Sequence, residues 1–182
     1  MKQIFVVFVI GVFVGFAIAL SDASFTSFFT ASPVTLGVAE VTPVFSPGSE
    51  DVVVNLMRGS RSELDLEVYT LSSQVLQDEL KGAAQRGVNV NVILESSIAS
   101  NIKPFKELQA AGVKVRWASR RFALTHSKFL IVDNETVFVG SNNWSFHSFN
   151  LNREASVKIR SVEIAREFLN VFYDDFAKGA AS

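Results

Sequence analysis

Between positions 126 and 143 the chain carries a histidine, a lysine, an aspartate, a glycine–serine pair and an asparagine, spaced His126-x-Lys128-x4-Asp133-x6-Gly140-Ser141-x-Asn143. Residues two apart on an extended chain share a face, so the spacing predicts that the His126 imidazole and the Lys128 ammonium converge on one ligand. Asp133 stands an odd number of residues from Lys128 and falls in the predicted turn Asp133-Asn134-Glu135. It is grouped with the catalytic residues, as a carboxylate that supports the site and attacks nothing. Gly140 permits close approach of backbone beside that pair, and Ser141 and Asn143 offer neutral donors. A lysine, an amide, a hydroxyl and a histidine around one point suit a tetrahedral anion with a nucleophile in line.

Composition narrows the chemistry. The 182 residues contain no cysteine, which excludes disulfide scaffolds, cysteine-ligated zinc, iron–sulfur clusters and a thiol nucleophile. His126 and His147 are the only histidines, which argues against a histidine-rich metal centre; no metal and no cofactor are expected. Hydrophobic residues make up 48% and charged residues 19%, enough apolar material for one packed domain. The formal net charge of −1 provides no global basic field, so a polyanionic partner has to be held locally.

The elements that must position the motif follow from periodicity. A strand is predicted over 39–45, then a helix over 50–58 behind the turn Ser46-Pro47-Gly48-Ser49. Leu64, Leu66 and Val68 alternate with Asp65, Glu67 and Tyr69, which predicts a strand with one buried face. Val75, Leu76, Leu80 and Ala83 lie on one helical face that Gly87 terminates. Strands at 88–94 and 113–117 flank a helix near 104–111. A hairpin over 128–132 and 136–139 carries the motif, a strand follows at 155–159, and an amphipathic helix over 162–176 closes the chain. The alternation is that of an α/β domain with a mixed sheet.

The motif resembles the signature of the phospholipase D superfamily, His-x-Lys-x4-Asp-x6-Gly-Ser-x-Asn, at every fixed position. At about 5% per residue type, such a match arises by chance in fewer than roughly one sequence in 10^5. Asn152-Arg153-Glu154 matches the family's downstream Asn-x-Glu element, and Phe45-Ser46-Pro47 is similar to the small, single-motif nuclease branch. The resemblance implies a phospholipase D-type mixed β-sheet with helices on both faces, over residues 41–182. It implies His126, Lys128, Asp133 and Glu154 as catalytic residues, with Lys128, Ser141 and Asn143 binding the phosphate. Enzymes of this kind need two copies of the signature, so one copy implies a homodimer with the site on its two-fold axis.

The function expected on this basis is metal-independent hydrolysis of DNA or RNA through a phosphohistidine. The alternatives are a phospholipase D acting on membrane phosphodiesters of the cardiolipin type and, in another class, a non-catalytic nucleic-acid-binding module. A possible substrate rim consists of Lys114, Arg116, Arg120 and Arg121, with a solvated strand edge as its plain alternative. Trp117, Phe122 and Trp144 are placed either to stack on a substrate or to fill the core. His147 falls outside the signature and is expected to be a loop residue.

Ile4–Leu20 lacks charge and proline, with Lys2 before it and Asp22 after. Residues 1–21 are expected to be a hydrophobic helix, either an uncleaved membrane anchor or a signal peptide, and residues 22–40 a linker. Either reading puts the domain outside the cytoplasm, anchored or secreted.

Overall fold

The structure is a computed structural model that describes residues 39–181. The predicted anchor and all but the end of the predicted linker lie outside the described residues.

The elements in chain order are β1 (Glu40–Phe45), α1 (Glu50–Gly59), β2 (Glu63–Val68), α2 (Gln74–Gln85), β3 (Asn89–Leu94), a 3-10 turn (Ala99–Asn101), α3 (Ile102–Ala110), β4 (Lys114–Trp117), β5 (Lys128–Val132), β6 (Thr136–Gly140), α4 (Phe146–Asn150), β7 (Ala155–Arg160) and α5 (Val162–Lys178). The seven strands form one mixed sheet in the order β1-β7-β6-β5-β2-β3-β4. β2, β3 and β4 run parallel, joined through α2 and α3, while β5 pairs antiparallel with β2 and with β6.

Local chemistry sets the element ends. Glu50 and Asp51 in the first turn of α1, and Arg58 in its last, complement the helix dipole. Ser73 and Ser161 cap α2 and α5, each side chain accepting a backbone N–H of the first turn. After α2 the chain turns at Gly87 with φ +88°, a left-handed conformation that glycine adopts without steric cost.

Both faces of the sheet are covered. On one face Val53 and Met57 of α1, Leu76 and Leu80 of α2, and Phe105 and Leu108 of α3 pack on Leu64, Leu66, Val68, Val92 and Leu94. On the other, Ala165 and Phe172 of α5 pack on Ile93, Phe129, Ile131 and Val137. The helices therefore flank the sheet on both sides, as expected. The prediction that β2 has a single buried face is corrected: Asp65 and Glu67 alternate with the leucines but are also buried. β2 sits in the middle of the sheet, and its second face lies under the α5 layer. Burial pushes both carboxyls up to about 7, although Asn91 donates to Asp65 and Ser127 donates to Glu67.

Trp144 is fully buried and Trp117 stacks on Phe105 at 4.1 Å, so both tryptophans belong to the packing. Among the described residues no helix is long and apolar enough to cross a membrane.

Candidate active site

The hairpin β5–β6 and its flanks bring the motif together, with its two ends doing different things. β5 begins at Lys128, so His126 precedes the strand instead of lying on it. The backbone stays close to strand geometry, because Tyr69 N donates to Ser127 O at 3.1 Å, one residue beyond the β2–β5 pairing. Lys128 Nζ therefore still reaches His126: it is 3.1 Å from Nδ1 and 3.3 Å from Nε2, and it donates to the His126 carbonyl at 2.7 Å. The lysine is nearly buried while the histidine is exposed. Burial pulls the Lys128 ammonium below its ordinary pKa, and the charge of Glu154 partly opposes this. The Tyr69 ring closes one side, 4.5 Å from the imidazole and 5.4 Å from Lys128 Nζ between centroid and cation.

Gly140 ends β6 where β7 comes closest. A Cβ there would lie 2.0 Å from Ser156 Oγ and 2.5 Å from the Ala155 carbonyl, so the glycine is required by the approach of the two strands. That approach lines Ser141 up with Glu154: Ser141 Oγ donates to Glu154 Oε2 at 2.5 Å and accepts Ala155 N at 3.1 Å. Glu154 Oε1 accepts from Ser148 and Asn152 at 3.0 and 3.1 Å. Burial raises the Glu154 pKa, but these three donors and the charge of Lys128 outweigh it and hold the carboxylate below its usual range. Asn143 is half-buried beside them, and its Oδ1 is buried with no partner in the chain.

His126, Lys128, Ser141, Asn143 and Glu154 thus belong to one end of the sheet. Asp133 does not. It lies at the far end of β5, about 16 Å along the strand from Lys128. There its carboxylate accepts the backbone N–H groups of Arg61, Ser62 and Glu63 and the Ser62 hydroxyl at 2.8–3.1 Å. Burial pushes its pKa up, but the backbone donors outweigh burial and leave it lowered. Asp133, expected as a supporting carboxylate, clamps the loop between α1 and β2 to the hairpin turn.

The predicted rim also divides. β4 lies three strands from β5, at the sheet edge. Lys114 donates to Asn89 there at 2.7 Å, and Arg116 donates to the Gly179 carbonyl and covers the Phe176 ring. Both are held at the β4 edge of the sheet. Arg120 and Arg121 lie on the segment that leads into His126, with Arg121 3.9 Å from Asp174. His147 is exposed on α4.

Several residues around the site have no signature in the sequence. Ser148 lies on the five-residue helix α4, too short to show a period, and Tyr69 reads as the polar end of a strand. Asn142 is buried and bonded to Ser156 and Ser46, where it ties the loop after β6 to the loop after β1.

A histidine–lysine pair opposite a Ser–Glu–Asn cluster, on a seven-stranded mixed sheet covered on both faces, defines a phospholipase D-type domain. Residues 53–176 match the family described as "Cardiolipin synthase, PLD-like domain", and the chain belongs to that family, a branch of the catalytic phospholipase D hydrolases. It is 34% identical over 134 residues to a mitochondrial cardiolipin hydrolase of Mus musculus, covering 71% of this chain and 60% of that protein. It is 34% identical over 115 residues to a cardiolipin synthase of Staphylococcus aureus, covering 60% of this chain and 23% of that one. The chain thus spans 60% or less of these two relatives. In fold it is similar to the phospholipase D family member Nuc from Salmonella typhimurium, with TM-score 0.73 and 24% identity over 78% of this chain and 97% of the other. NucT from Helicobacter pylori superimposes with TM-score 0.72 and 18% identity over 79% of this chain and 99% of its own.

Proposed function

We propose that the chain is a phosphodiester hydrolase that works as a homodimer through a phosphohistidine. The observation that carries this reading is the contact of the Lys128 ammonium with the exposed His126 ring. The imidazole attacks phosphorus, and the lysine lies where it neutralises charge developing on the non-bridging oxygens. One chain supplies one histidine, and a second imidazole is needed to protonate the leaving alcohol; the partner subunit's His126 takes that part and then activates water. Lys128 and Asn143 hold the phosphate. Ser141 acts mainly by fixing Glu154, because its hydroxyl proton is already committed there. Glu154 Oε2 keeps a second lone pair, which this reading assigns to the partner subunit's imidazole. The scheme requires no metal.

For the substrate, a membrane phosphodiester of the cardiolipin type is the better-supported class. The family and the relatives with the higher identities carry cardiolipin in their names. Of the four rim cations, two are tied into the β4 edge. Phe45, Phe146 and Leu151 stand exposed on segments bordering the motif, at 60%, 56% and 59%, and each is available to an acyl chain. Nucleic acid is the second reading, favoured by Arg120 and Arg121 on the segment that carries His126. The test offers cardiolipin vesicles, single-stranded DNA and RNA to the full chain with chelator present. Faster release of phosphatidic acid than of oligonucleotides supports the lipid reading, and the reverse order overturns it. Loss of all turnover in chelator contradicts the metal-free scheme.

A further inference from the structure

His126 is exposed on the segment 118–127, which has no regular structure between β4 and β5. Such a segment leaves a side chain mobile unless its neighbours are tied, and turnover needs the imidazole in line with phosphorus. Its neighbours are tied on both sides by buried acids. Thr125, immediately before it, is nearly buried, and its N–H donates to Glu95 Oε2 at 2.8 Å. Ser127, immediately after it, donates its hydroxyl to Glu67 Oε1.

The acids are themselves fixed. Glu95 follows β3 directly; its N–H donates to the Val68 carbonyl, its carbonyl accepts Asn101 Nδ2 at 2.9 Å, and its other carboxylate oxygen accepts Ser97 N at 2.8 Å. Glu67 lies inside β2, locked between β3 and β5. A carboxylate accepts strongly on both oxygens, so Glu95 ties the Ser97 loop and the His126 segment to one point.

We propose that Glu95 and Glu67 are positioning residues for His126, gripping the residue on each side so that the exposed imidazole has one orientation. The proposal rests on the reading of His126 as the nucleophile. Neither acid touches the substrate; Glu95 acts through the Thr125 backbone N–H and Glu67 through the Ser127 hydroxyl. The two gripped residues bracket the histidine at one position each way, so releasing either side frees the ring to swing. A misplacement of about 1 Å is enough to cost on the order of 100-fold in rate.

The test uses the full chain, Ser127→Ala and Glu95→Gln, with bis(p-nitrophenyl) phosphate as a small substrate that needs no rim. Ser127→Ala removes the donor to Glu67, and Glu95→Gln leaves one acceptor oxygen for two N–H groups. Each should lower kcat roughly 10- to 100-fold with KM within about twofold, while Ser127→Thr, which keeps the hydroxyl, stays near the parent. Should Glu95→Gln fail to fold, Ser127→Ala decides alone. The chain has two histidines, so labelled imidazole NMR gives two sets of signals with His147 as the internal control. Broadening or splitting of the His126 signals in the variants supports the grip even if the parent turns over no phosphodiester, the result that removes the hydrolase reading. Unchanged His126 signals, or kcat within twofold of the parent in Ser127→Ala, overturn it.

Discussion

At one end of β5 a lysine reaches back to an exposed histidine across 3.1 Å; at the other, Asp133 gathers the amides of Arg61, Ser62 and Glu63. The same continuous motif supplies both. Strand length separates them, because residues five apart along β5 lie at its opposite ends, about 16 Å apart. The signature therefore spans two environments, a histidine–lysine contact at one end of β5 and a backbone clamp at the other. The charge environments differ in the same way. The Lys128 ammonium is destabilised by burial, as a group poised to meet an anion would be, while the Asp133 carboxylate is stabilised by fixed donors.

The contrast is sharpest under mutation. His126→Asn should reduce turnover on the order of 10^4-fold or more with the melting transition preserved, since one change removes both imidazoles from a dimeric site. Rapid kinetics and thermal melting measure the two together, and activity within tenfold of the parent contradicts the assignment. Asp133→Ala should do the reverse. Losing a clamp of charge-assisted hydrogen bonds should cost about 2–3 kcal/mol in urea unfolding, while the folded fraction keeps kcat within a few-fold. A large kcat loss at full stability would return Asp133 to the chemistry.

Between the two ends lie Asp65 and Glu67, buried in β2 with carboxyls pushed up to about 7. An acid whose folded pKa exceeds its unfolded value of about 4 contributes stability fully below that value and loses it as pH rises through the folded value. Stability from these two should therefore decline between about pH 4 and 7, and Asp65→Asn should flatten the slope in chemical denaturation. A slope unchanged by that substitution contradicts the burial argument. The smallest effect is expected at the rim: Arg120→Ala with Arg121→Ala should weaken binding to anionic vesicles or polynucleotide a few-fold, and more so at low salt, with bis(p-nitrophenyl) phosphate hydrolysis unchanged. Equal loss on the small substrate would place those arginines within the site.

Legibility from sequence followed the range of the interaction. The hairpin and the pairing of Lys128 with His126 are local, and spacing predicts them. Gly140 was legible as a point of close approach, though not that Ser156 and Ala155 demand it. The second face of β2 was not legible, because Asp65 and Glu67 look like solvent-facing residues until α5, about a hundred residues on, covers them. The same limit hid the partners of the His126 segment: Glu95 and Glu67 lie 30 and 60 residues from the groups they accept. It also left undivided the four basic residues of the expected rim, of which β4 carries Lys114 and Arg116 at the sheet edge.

In the proposed mechanism one catalytic unit needs the His126 of two chains. Parent and His126→Asn chains carrying different affinity tags can be co-expressed and the mixed dimer isolated through both tags. The mixed dimer should be as inactive as the His126→Asn homodimer, because either the nucleophile or the acid is missing at its single site. A mixed species with half the parent activity, or an active monomer, would contradict it.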